Sequence, residues 1–101
     1  MGFVKVASVD KLPPGSMMAV EANGKDVLVS NLDNTFYAIG NVCTHAGCRL
    51  SSGKLKGSHV TCPCHGSTFD VKTGKIVTGP ASKDEPAYET KTEGTDILIS
   101  M

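Results

Sequence analysis

Apolar residues recur in this chain as short bursts, mostly at alternating positions, and Gly, Asn, Asp and Pro break up the bursts. A helical period of three to four is nearly absent. Val4 to Val9 predicts a first strand, closed by the turn residues Pro13-Pro14-Gly15. Met17 to Ala22 and Asp26 to Ser30 flank Asn23-Gly24, a pair that tolerates positive φ and predicts a hairpin. Asp33-Asn34 then separates Val27–Leu32 from Thr35–Ile39, extending the hairpin into a meander. Near the C-terminus, Tyr88–Thr92 and Ile97–Ser100 flank a Glu93-Gly94 turn. The pattern predicts an all-β protein.

Between about residues 40 and 81 the alternation weakens, and Gly, Cys, Ser and Lys become frequent. Val60–Cys62, Thr68–Val71 and Lys75–Val77 predict short strands there, the last two joined through Lys72-Thr73-Gly74. With 101 residues the chain has room for one domain and little else. The reading is a single domain over 1–101, in which a loop-rich subdomain (about 40–81) interrupts a β base formed by 1–39 and 82–101.

Ten basic and ten acidic side chains cancel, which argues against nucleic-acid binding through bulk charge. No apolar run approaches the roughly 18 to 20 residues that span a bilayer. The start of the chain lacks the charged and apolar regions of a secretory signal, and Ser8 lies too far from Gly2 for a myristoylation motif. The expectation is a soluble, cytoplasmic protein. Gln is absent and Asn sparse, a composition that leans toward a thermophilic source.

All four cysteines fall between residues 43 and 64. A secreted disulfide scaffold spreads its cysteines to staple distant segments, whereas clustered cysteines interleaved with histidines favour a metal site. Cys43-Thr44-His45-Ala46-Gly47-Cys48 and Cys62-Pro63-Cys64-His65-Gly66-Ser67 each offer a thiolate and an imidazole within a few residues. Two other readings use the same residues: a structural Cys₂His₂ zinc site, and a thiol–disulfide catalyst built on Cys62-Pro63-Cys64. Zinc leaves Cys48, Cys64, Gly66 and Ser67 without a purpose. The catalyst ignores both histidine spacings and lacks a βαβ context.

The arrangement Cys-x-His, sixteen residues, Cys-x-x-His resembles the cluster motif of Rieske iron–sulfur proteins. That resemblance implies the Rieske fold, an antiparallel sandwich or barrel-like base carrying an inserted cluster-binding subdomain. It implies one 2Fe–2S cluster, with Cys43 and Cys62 on one iron and His45 and His65 on the other. Neutral imidazoles in place of two thiolates leave the oxidised centre less negative, which raises its potential. Backbone amides around Gly47 and Gly66 would approach the cluster sulfurs closely. Gly79-Pro80 resembles the proline-bearing third loop that covers the cluster in this family.

Cys48 and Cys64 match positions that form a disulfide between the cluster loops in Rieske proteins of quinol-oxidising complexes. Such bonds are unusual in a reducing cytoplasm, thermophilic archaea excepted. Ser67 matches the same pattern, in which its hydroxyl donates to a bridging sulfide. Phe69 departs from it, since that pattern places there a Tyr whose hydroxyl donates to a cysteine sulfur. Ala46 also departs, being smaller than the apolar residue usual there. Losing one donor to the reduced cluster implies a potential below the quinol-oxidising type and above the common oxygenase ferredoxins.

The function implied is a one-electron carrier of the Rieske ferredoxin kind, monomeric and without turnover of its own. It would pass electrons from a reductase to an acceptor such as an oxygenase. Two alternatives are a small subunit of a larger redox enzyme, of nitrite reductase or oxidase type, and a redox sensor. Residues 41–80 carry Arg49, Lys54, Lys56, Lys72 and Lys75 against Asp70 alone, a net +4 that leaves −4 for the rest. These charges would either steer docking onto an acidic partner or serve as solvated loop lysines.

Overall fold

The computed structural model describes residues 2–44, 47–64, 66–79 and 83–100. Among the described residues, eleven strands form three antiparallel sheets. Strand β1 (Phe3–Ser8) pairs with β11 (Asp96–Ser100), which pairs with β10 (Thr90–Glu93). The second sheet runs β2 (Met17–Ala22), β3 (Lys25–Leu32), β4 (Thr35–Gly40) and β9 (Ala87–Tyr88). The third, β5 (Lys54–Lys56), β6 (His59–Thr61), β7 (Thr68–Asp70) and β8 (Ile76–Thr78), lies in sequence between β4 and β9.

The two predicted turns of the meander form as two-residue hairpins. Ala22 pairs with Lys25 across Asn23-Gly24, and Leu32 with Thr35 across Asp33-Asn34. Asn23, Asp33 and Asn34 all have positive φ, 50°, 55° and 69°, which short polar side chains accept at low cost. Asn31 reinforces the second turn: its Oδ1 accepts the Asn34 backbone N–H at 2.7 Å, and its Nδ2 donates to Leu12 O.

Strand β3 is central because both of its faces are covered. Val27 and Val29 point into a core with Leu12, Ala38, Ile97 and Ile99, between the first two sheets. Leu28 points the other way, into a second core with Ile39, Cys43, Leu50, Val60, Cys62, Phe69 and Val71. A strand buried on both sides reads as a continuous apolar run rather than an alternation, and Val27-Leu28-Val29 is such a run. Each fully buried aliphatic contributes about 1.5–3 kcal/mol. The second core therefore welds the short third sheet, which could not stand alone, to the rest of the molecule.

Some elements differ from the sequence reading. The first strand ends at Ser8, and Val9–Lys11 form a 3₁₀ turn; Leu50–Ser52 form another. Strand β5 has a single apolar residue, Leu55, and was not predicted. The segment predicted as one strand over Tyr88–Thr92 is broken at Glu89, where the chain passes from the second sheet to the first. Glu89 keeps its place in the ladder by accepting the Ser100 N–H.

Candidate metal centre

The two cysteine segments fold into loops of the same design. In the first, the Cys43 carbonyl accepts the Gly47 N–H at 2.9 Å, and the Cys43 N–H donates to Cys48 O at 2.7 Å. In the second, the Cys62 carbonyl accepts the Gly66 N–H at 3.2 Å, and the Cys62 N–H donates to Ser67 O at 2.7 Å. A shift of nineteen positions carries one set of partners onto the other. Gly47 and Gly66 close the loops with φ of 73° and 77°, the left-handed conformation glycine adopts without strain. Each loop sits on a paired stem, the Val42↔Arg49 bridge in one case and the Thr61↔Thr68 pair in the other.

Cys43 and Cys62 are 2% and 1% exposed and share one apolar cluster. Neither takes part in the disulfide, which joins Cys48 to Cys64 with their Cα atoms 6.4 Å apart. The bridge thus ties loop to loop without drawing on the two equivalent, buried cysteines. Two buried soft donors presented from mirrored loops fit an iron–sulfur or zinc centre, and would be poor partners for magnesium or calcium. His45, His65, Ala46 and Pro80 lie outside the described residues.

Other groups of the two loops pack around the same core. Ser67 and Phe69 are fully buried, Phe69 beside Cys43 and Cys62 in the same core. Gly79 lies so close to Ser67 that a Cβ on it would collide with the serine Cα and Oγ. The start of the third loop therefore rests directly on the second cysteine loop.

A polar network secures the first loop to the base. Asn41 is fully buried at the end of β4. Its Nδ2 donates to Asp26 Oδ1 at 3.0 Å and to Ser51 Oγ at 3.2 Å, and its Oδ1 accepts the Ser51 N–H at 2.8 Å. Arg49 closes the network, donating from Nε and Nη2 to the two Asp26 oxygens at 3.0 and 3.2 Å. The Arg49 guanidinium, with help from Asn41, holds the Asp26 carboxyl below its ordinary range despite partial burial.

The sequence reading missed Glu85. It is 5% exposed, and burial pushes its carboxyl up to about 7, against a smaller opposing effect of the Thr44 backbone. Its Oε2 is buried with no hydrogen-bond partner among the described residues. No local signal marks it, because Lys83-Asp84-Glu85 reads as a solvated charged run.

The basic side chains are divided between the two ends of the third sheet: Lys54, paired with Thr61, and Lys83, whose carbonyl accepts the Thr44 hydroxyl, stay beside the cysteine loops. Arg49 is taken up by Asp26. Lys56, Lys72 and Lys75 flank the turns at the opposite end of the third sheet, where Val71 N–H donates to Ser58 O. A groove of about 750 Å³, lined by Pro14, Leu32, Tyr37, Leu55 and Lys72, also lies at that end. The described loop residues Thr44, Gly47, Pro63, Cys64 and Gly66 are exposed and uncharged, with Val42 and Val77 exposed beside them. Of the basic residues of this segment, three thus stand at the far end of the third sheet, one is paired with Asp26 and Lys54 remains at the stem of the second loop.

Residues 2–92 match the model of the Rieske [2Fe-2S] domain. The ferredoxin component of the naphthalene 1,2-dioxygenase/salicylate 5-hydroxylase systems of Ralstonia sp is 35% identical over 99 residues, covering 98% of this chain and 95% of the relative. Among solved structures, the ferredoxin of carbazole 1,9a-dioxygenase from Nocardioides aromaticivorans IC177 superposes with a TM-score of 0.94 at 35% identity, covering 99% and 98% of the two chains. A complex of reduced oxygenase and oxidized ferredoxin in carbazole 1,9a-dioxygenase contains a chain similar at a TM-score of 0.91 and 28% identity, over 97% of this chain and 92% of that one.

Proposed function

Since the chain belongs to the Rieske [2Fe-2S] domain family, we propose that it is a ferredoxin whose Cys43, His45, Cys62 and His65 hold one 2Fe–2S cluster and which delivers single electrons to an oxygenase. The observation that carries the ligand assignment is the pair of equivalent loops, each turning one buried cysteine inward and cross-linked by Cys48–Cys64. The relatives' roles in dioxygenase systems support the direction of electron flow.

A Rieske cluster takes up and releases one electron at a potential raised by its imidazoles. The protein's part is to hold it, exclude water from its cysteine side and present its other side to a partner. The second core seals the sulfurs of Cys43 and Cys62 from solvent. The exposed, uncharged loop surface with Val42 and Val77 offers the partner a face with little charge to desolvate. Electron delivery should therefore depend only weakly on salt, as measured by stopped-flow reduction of an oxygenase between low and moderate ionic strength.

The whole chain serves as one domain in this reading, with 40–81 as the cluster-binding part, and works as a cytoplasmic monomer. No helix among the described residues is long and apolar enough to cross a membrane. The electron paramagnetic resonance spectrum of the dithionite-reduced protein tests the assignment. A Rieske-type low average g is expected, and its absence, or zinc in place of iron and acid-labile sulfide, overturns it.

A further inference from the structure

The two cysteine loops share a design but stand on different foundations. The shift of nineteen positions that relates them also carries Asn41 onto Val60 and Leu50 onto Phe69. Below the second loop, Thr61↔Thr68, Val60↔Phe69 and His59↔Asp70 are successive rungs of the β6–β7 ladder. Val60 and Phe69 are fully buried, so that ladder has one register in which its apolar pair reaches the core. Below the first loop the only bridge among the described residues is Val42↔Arg49.

Asn41 stands where the missing ladder would begin. Its carbonyl accepts the Leu50 N–H at 2.7 Å, and its N–H donates to Asp26 O at 3.0 Å. Its wholly buried side chain donates to Asp26 Oδ1 and Ser51 Oγ and accepts the Ser51 N–H. The chain enters the loop at Asn41 and leaves it at Leu50-Ser51, so one residue grips both ends and fastens them to the start of β3. A stem this short is weakly specified by its backbone alone. Slipping it by one position would exchange Cys43, 2% exposed, for Val42 or Thr44, which face solvent.

We propose that Asn41 is a positioning residue: its buried amide sets the register of the first cysteine loop, as the β6–β7 ladder does for the second, and so places Cys43 and His45 on the cluster. An amide suits this task because it donates and accepts at once. A shifted stem would leave buried polar groups of Asn41 and Ser51 unpaired, which makes the observed register the favoured one. An apolar side chain, like that of Val60, would carry no such preference without a strand to pair with. The inference rests on Cys43 and His45 being ligands, as proposed above.

Comparing Asn41→Ala with Asn31→Ala in the holoprotein tests it. Asn31 is also buried, and its amide donates to Leu12 O and accepts the Asn34 N–H. It lies at the end of β3 remote from Asp26. Both variants should melt at a lower temperature. Only Asn41→Ala should displace or split the g values, alter the visible circular dichroism and lose the cluster severalfold faster at a fixed temperature. Ser51→Ala, which deletes one of the three side-chain contacts, should move the spectra in the same direction by less. That variant decides the matter if Asn41→Ala does not fold. Wild-type spectra in the deciding variant, or equal displacement by Asn31→Ala, overturn the inference. If the wild-type protein itself lacks a Rieske spectrum, the ligand assignment fails instead, so the two failures are distinct.

Discussion

Phe69→Tyr adds one hydroxyl at a position the structure defines closely. The ring is fully buried on β7, flanked by Val60 and Ile76 in the strand register and packed in the core that holds Cys43 and Cys62. A hydroxyl on that ring has two possible fates. If it reaches a ligand sulfur, it donates to a sulfur that becomes more electron-rich on reduction, and the reduced state gains more. Hydrogen bonds to charged groups exceed neutral ones by about 1 kcal/mol, which for one electron corresponds to roughly 40 mV, at ~59 mV per tenfold change in equilibrium constant. If it finds no partner, the buried hydroxyl costs about 1–3 kcal/mol and lowers Tm by about 4–8 °C per kcal/mol. A mediated redox titration and a thermal melt of the same holoprotein separate these fates. The expected result is a potential higher by tens of millivolts with Tm little changed. An unchanged or lower potential refutes the reasoning, and a simultaneous drop in Tm identifies the unpaired hydroxyl as the cause.

Asn41→Ala removes three side-chain hydrogen bonds from a fully buried site and should cost about 2–4 kcal/mol; a loss below about 1 kcal/mol by thermal unfolding contradicts the network's role. Asp26 has its pKa lowered in the folded state, so its contribution is complete above the unfolded value of 3.8 and is lost as pH falls toward the folded one. Because the Asp26–Arg49 pair is partly exposed, the effect should be at most about 1 kcal/mol, seen as a shallower loss of stability between pH 5 and 2 in Asp26→Asn than in the wild type. Changing both Cys48 and Cys64 to Ser opens a link across sixteen positions, worth about 3 kcal/mol in chain entropy. Ligands at Cys43 and Cys62 would cross-link the same loops, so the double variant should lose more stability in the apo form than in the holo form. Equal losses by calorimetry would show that the two cross-links are not redundant.

The hairpins were legible in the sequence because their turns are local chemistry: Asn23-Gly24 and Asp33-Asn34 dictate positive φ wherever they stand. Strand β5 was not, since Lys54-Leu55-Lys56 has one apolar residue and becomes a strand only by pairing with His59–Thr61. The break at Glu89 was hidden for a similar reason, as the sheet change is imposed by β4 on one side and β11 on the other. At the metal centre, the cysteines and their bridge were readable from spacing and resemblance. A further signal went unused: Cys43-x₃-Gly47-Cys48 and Cys62-x₃-Gly66-Ser67 share a spacing that encodes the common loop. Glu85 was beyond reach, because it is buried against Gly40, forty-five positions away.

The placing of Lys56, Lys72 and Lys75 at the far end of the third sheet has a practical side. Placed on a negatively charged electrode, the molecule would adsorb through Lys56, Lys72 and Lys75, standing with its loops toward the solution. Direct electron exchange would then be slow for reasons of orientation alone, and a weak voltammetric wave would report the pose rather than the cofactor. A neutral or mildly apolar electrode film, matching the uncharged face around Val42 and Val77, would turn the molecule over and bring the loops into contact with the metal surface. The same hairpins that carry these three lysines to the far end thus also determine how the protein can be wired.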